Sequence, residues 1–81
     1  MDVLSITITL LESNLQLNTP LQPSRDTPLL GAVAELNSLT ITSIIAAIEE
    51  ETGSEVDDAE ISAELFETVG SLADFIAGKL A

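Results

Sequence analysis

The chain has no cysteine, histidine, tyrosine or tryptophan, and its 81 residues include two cations, Arg25 and Lys79. Each absence excludes something. Without cysteine, neither a disulfide framework nor a thiolate metal site can reinforce the fold. Without an imidazole or a thiol, and with Lys79 close to the end of the chain, a serine nucleophile has no base to activate it. Carboxylate pairs can do acid–base chemistry. Here they crowd into expected helix ends and turns, with no aromatic-walled cleft for a substrate, so a non-enzymatic role is expected. Phe66 and Phe75 are the only aromatic residues, so the core must come from Leu, Ile, Val and Ala, which the 46% hydrophobic content supplies. A chain of this length buries only about 60% of its unfolded surface. One domain over residues 1–81 is expected, with a small margin of stability.

Long apolar runs are also lacking. None approaches the length that spans a bilayer, and the first residues carry Asp2 and no basic region of the kind that opens a signal peptide. A soluble, cytoplasmic, monomeric protein is expected, without membrane insertion. Fourteen carboxylates against two cations give a formal net charge of −12. Such a surface repels nucleic acid and anionic membranes and attracts basic patches on proteins. It also repels itself, so salt or divalent cations should tighten the fold.

Residues 3–17 carry two patterns. Ile6, Ile8 and Leu10 alternate with Thr7 and Thr9 as in a strand, whereas Leu4, Ile8, Leu11 and Leu15 recur as one helix face. A lone strand has no evident partner, which favours the helix. Residues 18–28 read as a loop interrupted by Pro20, Pro23 and Pro28, with Leu21, Leu29 and Leu30 pinning it to the core. Asn37 is a good N-cap. Ile41, Ile44, Ile45 and Ile48 form an apolar stripe after it, and Gly53 supplies a left-handed closing residue. The expected helix covers 38–52. Asp57 with Glu60 resembles a capping box opening a short helix around Ile61 and Leu65. Thr68 caps a last helix whose face is Val69, Leu72, Ile76 and Leu80, with Lys79 near its negative end.

Glu49, Glu50 and Glu51 sit where the helix dipole is already negative, at a cost of a few tenths of a kcal/mol each. A docking surface for basic partners accounts for them, and so does an ordinary solvated acidic face. Ser38 stands at the positive end of the same helix. A hydroxyl displayed there, in a chain so poor in catalytic groups, suggests a serine that is modified and carries cargo. A plain helix-start residue is the bland alternative.

Asn37-Ser38-Leu39, Glu49-Glu50-Glu51 and Thr68-Val69, in this order of elements, resemble the acyl carrier proteins. The likeness runs over essentially the whole chain and is closest from Thr27 to Phe75. The resemblance implies an all-α four-helix bundle with three major helices, one short helix and a long first loop. It implies a 4′-phosphopantetheine arm, taken from coenzyme A, on Ser38, flanked by Asn37 and Leu39. Acyl thioesters on the thiol of that arm would serve fatty acid or polyketide biosynthesis. The partners implied are a phosphopantetheinyl transferase and acyl synthases, ligases or transferases with basic docking patches that meet Glu49, Glu50 and Glu51. By the same analogy Ile44, Ile45, Ile48, Val56, Ile61, Leu65 and Val69 are candidate acyl-pocket walls, though ordinary core packing explains each as well. A phosphodiester on Ser38 suits a helix N-terminus with its N–H groups and dipole.

Asn37 replaces the family's aspartate, and Thr40 and Ser43 stand where many members carry acids. A specialised carrier with a dedicated partner set is therefore expected. Residues 57–72 also look like divergent carriers encoded near exopolysaccharide and exosortase genes. The alternative is an unmodified acidic interaction module of the same fold that docks on basic proteins. A divalent-ion site at Asp57, Asp58 and Glu60 lacks the alternating acids and mid-loop glycine of an EF-hand.

Overall fold

The structure, a computed structural model, describes residues 2–15, 24–31 and 36–80. The described residues form three α-helices: α1 (Val3–Asn14), α2 (Ser38–Thr52) and α3 (Val69–Leu80), with 3-10 turns at Asp58–Glu60 and Ala63–Phe66 before α3. No strand is present among them, and none of their helices is long and apolar enough to cross a membrane.

The first segment is a helix because its buried positions follow the helical face. Leu11 and Leu15 are buried, and Leu4 and Ile8 pack against the core. Thr7 belongs to this face too and is fully buried. Its Oγ1 donates to the Val3 carbonyl at 2.8 Å, which satisfies the hydroxyl in place. The helix ends three residues short of the expected Leu17, with Leu15 already extended (φ −115°, ψ 137°).

α2 begins and ends as expected. Asn37 accepts at its side chain from the Leu39 and Thr40 amides, and Gly53 closes the helix in the left-handed region at φ 71°. The short third helix is replaced by the two 3-10 turns on either side of Ile61. Only part of its cap forms: the Glu60 side chain accepts from the Asp57 amide at 2.8 Å, and the Glu60 amide donates to the Asp57 carbonyl at 2.9 Å. That i to i+3 bond is the tight 3-10 pattern, which rarely extends beyond one turn. At α3, Thr68 and Ser71 cap each other reciprocally, each amide donating to the other's hydroxyl at 3.1 Å.

α3 is the hub. It packs against α1, α2 and the Ala63–Phe66 turn, while α1 also meets α2. Leu11, Leu29, Ile44, Ile48, Phe66, Val69, Leu72 and Ile76 form the core between them. In the first connection, Leu29 is buried and Leu30 is 44% exposed, so only the former pins the loop; Leu21, Pro20 and Pro23 lie outside the described residues. The loop is instead laced to the start of α3. The amides of Val69 and Gly70 donate to the carbonyls of Thr27 and Arg25 at 2.9 and 2.8 Å. In return the Leu29 and Leu30 amides donate to the Glu67 and Phe66 carbonyls. Residues 25–30 are thus tied to the start of α3 by backbone pairing, with Pro28 opposite Thr68. Arg25 adds an exposed ion pair to Asp74 at 2.8 Å.

Candidate functional site

Ser38 is the first residue of α2 and is exposed. The capping interactions pass around it. Asn37 Oδ1 accepts from Leu39 N at 3.0 Å and Thr40 N at 3.2 Å, and Thr40 Oγ1 accepts from Asn37 N at 2.8 Å. The Ser38 hydroxyl takes no part in this box, and its backbone carbonyl accepts from Thr42 Oγ1 at 2.9 Å. The bland explanation for Ser38, a helix cap, is therefore already filled by its neighbours.

The same geometry refines the electrostatics of the position. The Leu39 and Thr40 amides are spoken for, so they are not donors waiting for an anion. What favours a phosphate on Ser38 is the helix dipole together with a first turn that carries no acid. Asn37 keeps the cap without adding a carboxylate. Leu39, 82% exposed, stands beside the serine.

A groove of about 310 Å³ follows the same face of α2. Ile41, Thr42, Ile45, Ala46 and Glu49 line one side, at helical spacing from Ser38. Val56 and Ile61 form the other side. At a rise of about 1.5 Å per residue, Glu49 lies roughly 16 Å along the helix from Ser38. Of the seven candidate wall residues, Ile45, Val56 and Ile61 line this groove, whereas Ile44, Ile48 and Val69 are fully buried in the core and Leu65 is nearly so. Sequence reasoning missed Ile41, Thr42, Ala46 and Glu49 as lining. Counting threes and fours from the serine along α2 finds all four.

The glutamate run divides. Glu50 and Glu51 are exposed, while Glu49 is half-buried and its Oε2 accepts from the Val56 amide at 2.7 Å. Lys79 donates to both carboxylate oxygens of Glu60, at 2.8 and 2.9 Å, and to the Glu55 carbonyl at 3.1 Å. Its Nζ also lies 5.5 Å from the centre of the Phe75 ring. The lysine and the Asp57 amide hold the Glu60 carboxyl below its ordinary value. Among the described residues no three carboxylates converge on a point where a metal ion could sit.

A family model described as the phosphopantetheine attachment site matches residues 6–76. The chain is also similar to the solution NMR structure of a holo acyl carrier protein from Nitrosomonas europaea. The two are 40% identical, with a TM-score of 0.84, over 99% of this chain and 98% of that one. No curated protein matches the chain. Together the two matches support phosphopantetheine as its prosthetic group, and an exposed serine at a dipole-favoured, uncharged helix start fits that group.

Proposed function

We infer the role of Ser38 from one premise: this chain belongs to the phosphopantetheine-attachment family, with the fold of the acyl carrier proteins. Ser38 is the attachment residue, and the protein carries acyl intermediates and presents them to partner enzymes without catalysing a reaction itself. The observation that carries this reading is the exposed Ser38 hydroxyl, left out of a capping box that Asn37 and Thr40 complete without it.

Loading is a transfer to that hydroxyl. Ser38 Oγ forms a bond to the phosphorus nearer the pantetheine of coenzyme A. The bond from that phosphorus to the nucleotide phosphate oxygen breaks, 3′,5′-bisphosphoadenosine leaves, and the serine proton passes to a base on the transferase. The bound arm supplies a thiol that holds acyl groups as thioesters. The chain contributes a rigid helix start that fixes where the arm begins. It also contributes a groove on the same helix face where an apolar chain can lie away from water.

The partners are a phosphopantetheinyl transferase and acyl-transferring enzymes of fatty acid or polyketide type, in the cytoplasm, with the carrier acting as a monomer. Glu50 and Glu51 are the exposed acids that basic patches on those enzymes meet. The first turn of α2, which carries no acid, calls for a transferase that does not rely on acids at those positions.

The test is intact mass after incubation with coenzyme A and a broad-specificity phosphopantetheinyl transferase. A gain of one phosphopantetheine, absent in Ser38→Ala, supports the reading. No gain with several transferases overturns it in favour of an unmodified acidic module.

A further inference from the structure

We propose that Glu49 and Lys79 are positioning residues for the cargo, fixing the outer wall of the groove by gripping one peptide unit from both sides. This deepens the carrier reading and rests on it. The unit is the Glu55–Val56 peptide, a rigid plane with one donor and one acceptor. Its N–H donates to Glu49 Oε2 at 2.7 Å and its C=O accepts from Lys79 Nζ at 3.1 Å. The two anchors come from the C-terminal ends of different helices, α2 and α3. Both bonds involve a charged partner and are the stronger for it.

The hold extends to the neighbouring residues. The Lys79 ammonium also donates to Glu60, whose Oε2 in turn accepts from the Asp57 amide, and the Ser54 hydroxyl donates to the Lys79 carbonyl at 3.3 Å. Residues 54–60 are thereby fastened to the last turns of two helices. Val56 lies within this stretch and Ile61 directly follows it. Both side chains are only half-buried, so packing alone does not set their place.

Two further points favour a role in the groove over a purely structural one. Glu49 lines the groove itself, so the side chain that holds the wall also touches the space behind it. It does so at a negative helix end, where a carboxylate is unfavourable. Such local violations are expected at functional positions. The width available to an acyl chain is therefore set by two charged side chains remote from Ser38 in sequence.

The experiment loads Ser38 with either the free-thiol arm or an octanoyl arm and compares methyl NMR spectra of Val56 and Ile61. In the parent, both methyl groups shift between the two forms. In Lys79→Met and in Glu49→Ala that shift falls at least twofold, and in Lys79→Arg it returns, while core methyl groups such as Leu11 stay put. If Lys79→Met does not fold, Glu60→Gln, which weakens the hold on the ammonium, is read in the same way. Parent methyl groups that ignore the octanoyl chain, or variants that respond as fully as the parent, overturn the proposal while leaving the carrier reading intact. A parent that gains no mass on loading overturns both.

Discussion

The Val56 amide donates to Glu49 Oε2 across 2.7 Å, tying the last turns of α2 to the loop that follows it. This bond separates one glutamate from the two beside it. Glu50 and Glu51 face solvent, whereas Glu49 is committed within the molecule. Three adjacent acids that look alike in the sequence therefore do two different things.

The stability of single variants should show that division. Glu49→Ala leaves the Val56 amide without its partner and should cost about 1–3 kcal/mol. Glu50→Ala and Glu51→Ala remove charges from a negative helix end and should change stability by no more than a few tenths of a kcal/mol. Urea titrations of the three variants, compared at constant slope, test this.

Asn37→Ala should destabilise by about 1 kcal/mol, because both amides held by Oδ1 lose their acceptor. That corresponds to a melting temperature lower by roughly 4–8 °C in a domain of this size. Asn37→Asp keeps the cap and restores the charge typical of the family. It should melt near the parent and be loaded faster by a generalist transferase. Equal loading rates for Asn37→Asp and the parent would remove the recognition argument.

Gly70 is the glycine that close packing requires. A Cβ built there comes within 2.8 Å of the Arg25 carbonyl oxygen, the same oxygen that accepts from the Gly70 amide. Gly70→Ala must push the loop off α3 and should cost about 1–3 kcal/mol. Gly78→Ala meets nothing within 4 Å and should be neutral or slightly stabilising through helix propensity. Denaturant midpoints of the pair decide it.

Glu60 gives the protein an acid limb with a definite sign. Its folded pKa lies below the ordinary 4.5, chiefly through Lys79. The carboxylate's contribution is therefore complete above that ordinary value and fades as pH falls through the lowered folded pKa. Glu60→Gln should weaken this part of the acid dependence and leave the neutral-pH side flat. Melting temperatures from pH 6 down to acid unfolding measure it.

Salt should raise the melting temperature of the parent, because a net charge of −12 repels itself. Arg25→Gln should matter little in comparison, less than about 1 kcal/mol, since its pair with Asp74 is exposed on both sides. A melting temperature that does not change between low and physiological salt contradicts the first expectation.

The sequence was most informative where one local rule decided the outcome. Asn37 and Gly53 bracket α2 by capping chemistry alone, and Thr68 opens α3 in the same way. Residues 3–14 needed an argument about missing partners, because period two and period three-and-a-half overlap there. Thr7 stayed hidden in that overlap. A hydroxyl reads as surface until its bond to the carbonyl four residues back is seen. The segment around Ile61 carried a helix-start signal from Asp57 and Glu60 but too few residues to propagate a helix, and two 3-10 turns resulted. Ser38 was singled out by its neighbours in the sequence, and the structure places it exposed at the first position of α2. The groove was less legible: of the residues named by analogy, Ile45, Val56 and Ile61 line it, while Ile44, Ile48 and Val69 are buried in the core. The hold on residues 55 and 56 by Glu49 and Lys79 depends on contacts across 7 and 24 residues, which no local pattern encodes.

Lys79 has one more effect. It is the chain's single lysine, and with no cysteine or histidine its amine is the only strong side-chain nucleophile. Three acceptor atoms, the Glu55 carbonyl and both Glu60 carboxylate oxygens, surround its Nζ within 3.1 Å. On the carrier reading proposed above, the fold thus ties down the one side-chain amine and keeps it on the far end of α3, away from a thioester borne at the start of α2.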